Sequence, residues 1–172
     1  MRTIPDPGFA GDDGAVAPEV AAAMSAYAAD PDRLHHPTIA ALQDSRLLVP
    51  VVAVLGEVEY DEQGLAHDKT SDMATVLMRG KDGRLALLAF TGNEPLTRWN
   101  PEARPVPVSA RQAAEAAVHD EAAALLVDVA GPALLVVEGE DLRSLAEGYR
   151  LVESAAGWAW VRLSDAEDEP DR

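Results

Sequence analysis

Apolar residues recur at two spacings along this chain, and the changes from one spacing to the other mark its elements. Pro18 suits the first position of a helix, where its missing N–H costs nothing. Behind it Val20, Met24, Tyr27 and Ala28 fall at i, i+4, i+7 and i+8, one helical face. Asp30-Pro31-Asp32 closes that helix, and a second is predicted from Pro37 with Ile39 and Leu42 facing inward. The run Arg46–Leu55, RLLVPVVAVL, is β-branched and apolar and predicts a strand. Pro50 inside it cannot donate a ladder hydrogen bond, which favours an edge position or a bulge. The segment Gly56 to His67 reads as a strand extension, with Glu57 and Glu59 on one face, followed by a solvent loop. Ser71–Arg79 is the next predicted strand, and Gly80-Lys81-Asp82-Gly83 has the length and chemistry of a hairpin turn. Arg84–Phe90, RLALLAF, is nearly all apolar, so it is expected at the sheet centre with both faces covered.

Thr91 or Asn93 is placed to cap a short helix that carries Leu96 and Trp99. Pro101–Pro107 reads as extended. Ser109 and Gln112 form the S-x-x-Q of a capping box and open an alanine-rich helix with Ala110, Ala113, Ala114, Ala117 and Val118 on one side. Ala124–Val129 and Ala133–Val137 are two apolar strands separated by Gly131-Pro132. Residues 140–147 form a last helix, with Leu142 and Leu145 inward and Gly148 at its C-terminal cap. Trp158-Ala159-Trp160-Val161 alternates like a half-exposed strand. Strands and helices interleave while hairpins also occur. The expected class is therefore α/β, with α+β possible: a single domain with a mixed sheet of about five to six strands and helices packed on it. Residues 1–16 and 164–172 are poor in apolar side chains and are expected to be disordered, leaving 17–163 as the domain.

Composition narrows the function. The chain has 172 residues, 48% of them hydrophobic, enough for one domain with a real core. It has no cysteine, which removes disulfides, thiolate metal sites and cysteine nucleophiles together. Its formal net charge of -16 repels phosphate backbones and anionic membranes, so neither is an expected partner. The only lysines are Lys69 and Lys81, while alanine and arginine are abundant, a bias that fits a GC-rich genome. No secretory signal or spanning apolar run is visible, and a cytoplasmic location is expected.

Several segments together carry a family resemblance: ALQDSRLLVPVVAVL, SDMATVLM, LLAFTGNEPLTRW and QAAEAAVHDEAAALLVDVAGPALLVVEG, in that order. Over roughly residues 39 to 150 the chain resembles the SseB-like N-terminal domain, a family common in actinobacteria and named after a protein linked to serine sensitivity. The Phe-Thr pair, the polar helix start and the following Trp are its most specific part. The resemblance implies an α/β fold and no defined activity. In relatives the segment at Asp128–Pro132 is expected to resemble an Asn-Pro-Gly turn, whereas here it reads Asp-Val-Ala-Gly-Pro. A persulfide-based sulfurtransferase mechanism, near which the family label sits, is excluded because there is no cysteine.

The chemistry-bearing residues each have a plain reading. His35 and His36, in an extended segment, would point apart and make a poor chelate; His67-Asp68 and His119-Asp120-Glu121 lack metal-ligand spacing. Neither a metal nor a cofactor is expected. His119 is placed to pair with Glu115 near the end of its helix. Ser71, Ser109 and Ser144 lack a nucleophile context, no phosphate-binding glycine loop occurs, and the acidic loop at Asp61-Glu62 lacks calcium-ligand spacing. Asp128 interrupts an apolar strand: it either ends that strand at the surface, the favoured reading, or is buried and needs hydrogen-bond partners. Thr91, Asn93 and Glu94 follow the buried strand and either cap a helix or line a cleft. Trp99 is a core anchor or a partner surface. Trp158 and Trp160 share one face of their strand and either seal the core or contact another chain. The leading expectation is a non-enzymatic module that binds a protein partner or acts in regulation, with a homodimer possible. The rival is a small-molecule-binding protein or enzyme using the Thr91–Glu94 turn with Asp128.

Overall fold

Pro18 and Pro31 each sit at the first turn of a helix, and together they divide the N-terminal region. A computed structural model describes residues 8–55, 59–60, 66–67 and 71–163. In it α1 spans Pro18–Ala29 and α2 spans Pro31–Leu42. Asp30 breaks the run with φ -148° and ψ 75°, and its carboxylate accepts the Arg33 N–H at 3.3 Å, capping α2. The second helix thus begins six residues earlier than Pro37 predicts. Pro37 lies inside it, where it costs one ladder hydrogen bond. His35 and His36 are consequently helical rather than extended.

Strand β1, Arg46–Leu55, pairs antiparallel with β4, Ser71–Thr75, and with β7, Arg104–Ser109. Between β1 and β4 lies a two-residue ladder of β2, Glu59–Tyr60, and β3, Ala66–His67. The other main sheet has the order β5, Leu77–Arg79; β6, Leu85–Ala89; β8, Ala124–Val127; β9, Leu135–Glu138. The β6–β8 pair is parallel and the rest antiparallel. The architecture is the mixed α/β single domain expected, with its strands shared between these sheets. The predicted strand over 71–79 divides at Val76, so that β4 serves β1 and β5 serves β6.

Leu48 and Phe90 join the two sheets by exchanging backbone hydrogen bonds, both 2.8 Å. Backbone groups alternate sides along a strand, so the Pro50 nitrogen faces the same side as Leu48. There the partner changes from Phe90 to β4, whose register starts at Val51. The missing donor of Pro50 falls in that changeover. This is how a proline fits inside a strand that has neighbours on both sides, in place of the edge or bulge expected.

Helix α3, Asn93–Trp99, follows β6; α4, Ala110–His119, follows β7; and α5, Gly139–Ala146, follows β9. The capping box is complete: Ser109 Oγ accepts the Gln112 N–H at 3.1 Å and Gln112 Oε1 accepts the Ser109 N–H at 2.9 Å. Gly148, at φ 82°, closes α5, with the Gly148 and Tyr149 N–H groups returning to Leu145 and Ser144. The hairpin of β10, Arg150–Ser154, and β11, Gly157–Val161, ends the described chain.

Period-two alternation in β6 serves two cores. Leu87 and Ala89 enter the larger one, with Val20, Ile39, Leu125, Val137 and the face of α4 formed by Ala113, Ala114 and Ala117. Small side chains there let α4 approach the sheet closely. Leu88 and Phe90 enter the smaller core with Leu48, Leu96 and Ala103. All four β6-derived residues have no accessible surface, as expected of a central strand. Among the described residues, no helix is long and apolar enough to cross a membrane.

Candidate functional site

The parallel pair β6 and β8 ends side by side, and the residue types at those ends are polar. Thr91 follows β6 and Asp128 follows β8. Asp128 donates its N–H to the Ala89 carbonyl at 3.0 Å and then turns back at φ 58°, a conformation aspartate tolerates better than most residues. Its carboxylate is gripped from both sides: the Thr91 N–H donates to Oδ1 at 2.8 Å and the Thr91 hydroxyl to Oδ2 at 2.6 Å. Asp128 is 6% exposed and Thr91 4%. The favoured sequence reading, a carboxylate ending its strand at the surface, is therefore overturned; Asp128 is buried and has the partners burial requires. Burial pushes its carboxyl above the usual range, while the two Thr91 bonds and the charge of Arg98 act in the opposite direction.

The Thr91 hydroxyl is thus spent on Asp128 and does not cap α3. The N-cap of α3 is Gly92, without a side-chain cap. Asn93 is not the cap either: its N–H donates to the Gly14 carbonyl at 2.7 Å and its amide group reaches the Asp13 carbonyl at 3.4 Å. The chain before α1 is fastened here by a residue that sequence reasoning missed. Arg46, its side chain 11% exposed, donates to the carbonyls of Thr91 at 2.9 Å and Ala15 at 2.7 Å, and pairs with Asp12. Composition places the domain boundary at residue 17, but residues 12–15 already touch the domain.

Over the strand ends lies an open cleft of about 310 Å³. Met24 and Ala28 of α1 form one wall, Pro95 and Arg98 of α3 the other, and Thr91 and Asp128 lie at the base. Glu94, also in the lining, accepts from Arg98 at 2.8 Å across one helical turn. The structure therefore brings Thr91, Glu94 and Asp128 together and turns Asn93 away. Helix α1 supplies the apolar wall. A family model described as the SseB protein N-terminal domain matches residues 20–144. The chain belongs to that family. Comparison with curated proteins and with solved structures gives no match.

The matched part of this SseB domain runs from α1 into α5, so Thr91, Glu94, Trp99 and Asp128 are inside it and Trp158 and Trp160 are outside. Trp99 lies away from the cleft. It stacks at a tilt on Phe90, ring centroids 5.5 Å apart, and packs on the smaller core. Trp158 and Trp160 are half-buried against the larger core.

Trp160 also donates its indole N–H to Asp141 Oδ1 at 2.8 Å. The same carboxylate has His35 Nε2 at 3.3 Å and His36 Nε2 at 3.6 Å. The histidine pair, expected to point apart along an extended segment, lies on α2, where neighbours diverge by less, and Asp141 of α5 sits within reach of both rings. Asp141 gave no sequence signal beyond an acidic residue in the first turn of α5. Among the described residues, no group of three or more His, Asp or Glu side chains is arranged to hold a metal ion. His119 does not pair as predicted, because Glu115 accepts from Arg111 at 2.9 Å. Glu57, Asp61, Glu62 and Asp68 lie outside the described residues, as do the side chains of Glu59, His67 and Ser71.

Proposed function

We propose that this SseB domain is a non-enzymatic binding module of the cytoplasm that takes a basic side chain of a partner protein into the cleft between α1 and α3. The observation that carries this reading is Asp128. It is a buried carboxylate at the base of a cleft with apolar walls, and both its oxygens are already held by Thr91. A carboxylate so held is poorly placed to shuttle protons. Each oxygen retains a second acceptor position, which a cationic donor entering the cleft would fill. The alkyl stem of a lysine or arginine suits Met24, Ala28 and Pro95, while its head suits Asp128; Glu94, in the same lining, is already paired with Arg98. The net charge of -16 favours approach of such a partner.

The rival reading, a small-molecule receptor or enzyme using the same residues, needs a cavity that encloses its ligand. The cleft is open, and its volume lies at the lower end of the range for ligand pockets, about 300–1,000 Å³.

A peptide array read with wild-type protein and with Asp128→Asn tests the proposal. Captured peptides should share a lysine or arginine flanked by apolar residues. Binding should fall by roughly tenfold or more in Asp128→Asn, equivalent to about 1.4 kcal/mol. Peptides without a cation, or equal capture by the variant, would remove the basis for the reading.

A further inference from the structure

Three charged residues line the cleft between α1 and α3. Glu94 and Arg98 pair with each other at 2.8 Å. Asp128 is left without an ion pair among the described residues, so the lining is short of one cation.

The chain brings a cation to this place. Val16 lines the cleft, so the segment that leads into α1 leaves the domain at the cleft's own wall. Just before it, one guanidinium, that of Arg46, holds Asp12, the Ala15 carbonyl and the Thr91 carbonyl. Asp12 is therefore anchored beside the base of the cleft. Its N–H returns to the Phe9 carbonyl at 3.1 Å, which turns the chain. Residues 1–7, MRTIPDP, precede the described chain, and Arg2 is the only basic residue before Arg33. Met1 and Ile4 flank Arg2, giving a long cation with apolar neighbours, as the cleft requires. Lys69 and Arg172, by contrast, stand next to Asp68 and Asp171. Ten residues separate Arg2 from Asp12, and an extended chain of that length spans up to about 33 Å.

We propose that residues 1–7 place Arg2 in the cleft, with its head on Asp128 and its stem on Met24, Ala28 and Pro95, so that a partner must displace it. The inference rests on the reading of the cleft as a site for a basic side chain, and adds that the site is autoinhibited. One arginine balances the one carboxylate that the lining leaves unpaired. Asp6, four places nearer the anchor, stays outside. The contact can be weak in itself, because a short tether holds its ligand at roughly millimolar local concentration. A tether counted from Val16, fourteen residues from Arg2, lowers that concentration less than about twofold.

The chain has no cysteine, so Thr3→Cys carries a single nitroxide label beside Arg2. The amide resonances of Met24, Thr91 and Ala133 should be broadened in the labelled chain and should recover when Arg2→Gln is added. The affinity of unlabelled Arg2→Gln for a synthetic peptide with one lysine between two leucines should exceed that of wild type roughly threefold or more. Broadening that survives Arg2→Gln overturns the proposal, as does peptide binding of equal affinity in the two forms. If that peptide still shifts Thr91 and Asp128, the reading of the cleft stands without the segment. Broadening of the same amides when label and isotope sit on different chains assigns the contact to a second copy, and also overturns the proposal. Recovery in Arg2→Gln with no peptide bound by either form keeps the segment in the cleft and removes the partner instead.

Discussion

Thr91 holds both oxygens of Asp128, one through its N–H at 2.8 Å and one through its hydroxyl at 2.6 Å, and so clamps the end of β6 to the end of β8. The two strands are parallel neighbours, and their last paired residues are Ala89 and Val127. Beyond that pair the sheet ladder stops, and side-chain chemistry takes over from backbone pairing. The clamp fixes the base of the cleft as well as the sheet.

Thr91→Val keeps the shape and the N–H donor but removes the hydroxyl. One oxygen of a buried carboxylate then loses its protein partner. The expected loss is about 1–3 kcal/mol in urea unfolding, since hydrogen bonds to charged groups are the costly ones to delete. A change under about 0.5 kcal/mol would mean that water replaces the hydroxyl and the clamp contributes little.

The same residue sets a pH dependence. Burial raises the Asp128 carboxyl in the folded state, so the folded chain binds that proton more tightly than the unfolded chain. Stability contributed by this group therefore falls as pH rises from about 4, the unfolded value, through the raised folded value, and is level above it. Asp44 behaves in the opposite sense. Hydrogen bonding to Arg150 lowers its carboxyl, and its contribution is lost as pH falls through the folded value. The difference in unfolding free energy between wild type and Asp128→Asn, followed with pH, isolates the first effect. Asparagine adopts the left-handed backbone at this position readily. The wild type should lose stability relative to the variant as pH rises through the window; the reverse slope would show that the Thr91 bonds and Arg98 outweigh burial.

Trp160 is expected to act in the fold of this domain. Trp160→Phe keeps most of the packing on the larger core but removes the donor to Asp141, leaving that carboxylate with His35 and His36. Unfolding should show a loss of about 0.5–1.5 kcal/mol, and Trp160→Ala a larger one through lost packing. Sedimentation should be unchanged in both. A change of oligomeric state without loss of stability would assign the tryptophan to a contact between chains.

What was legible in the sequence was what is local. Ser109 and Gln112 lie three apart and satisfy each other, so their box could be read directly. RLALLAF declared a strand covered on both faces because every position after Arg84 is apolar enough for either core. The reading that started α2 at Pro37 fails because Pro31 suits a first turn equally well; the Asp30 cap decides it, and the helix absorbs Pro37. The burial of Asp128 depended on Thr91, 37 positions away, and no spacing rule links the two. The convergence of His35 and His36 on Asp141 followed from the early start of α2 and from tertiary packing. Arg46 gave no signal because an arginine beginning an apolar strand ordinarily points to solvent.

Arg46 supports the last prediction. Its guanidinium holds three groups on two pieces of chain: the Thr91 carbonyl at the strand end, and Asp12 and the Ala15 carbonyl in the segment before α1. Those contacts hold Gly14 where its carbonyl receives the Asn93 N–H. Arg46→Met keeps the apolar stem and deletes every one of these bonds. Residues 12–15 should then detach, and the Asn93 amide should lose its acceptor. Hydrogen exchange at Asn93 should accelerate by roughly tenfold or more, while amides inside β6 and β8, such as Leu88 and Leu126, keep their protection, because local opening need not reach the core. Limited proteolysis should cut before residue 16 faster in the variant than in wild type. Val16, which follows this segment directly, packs against the larger core and lines the cleft, so release of residues 12–15 loosens the hold on one of the cleft's lining residues. That release should therefore weaken capture of basic peptides even though Asp128 and Thr91 are untouched. Unchanged exchange at Asn93 would show that Val16 packing alone holds the segment and that Arg46 serves only the start of β1.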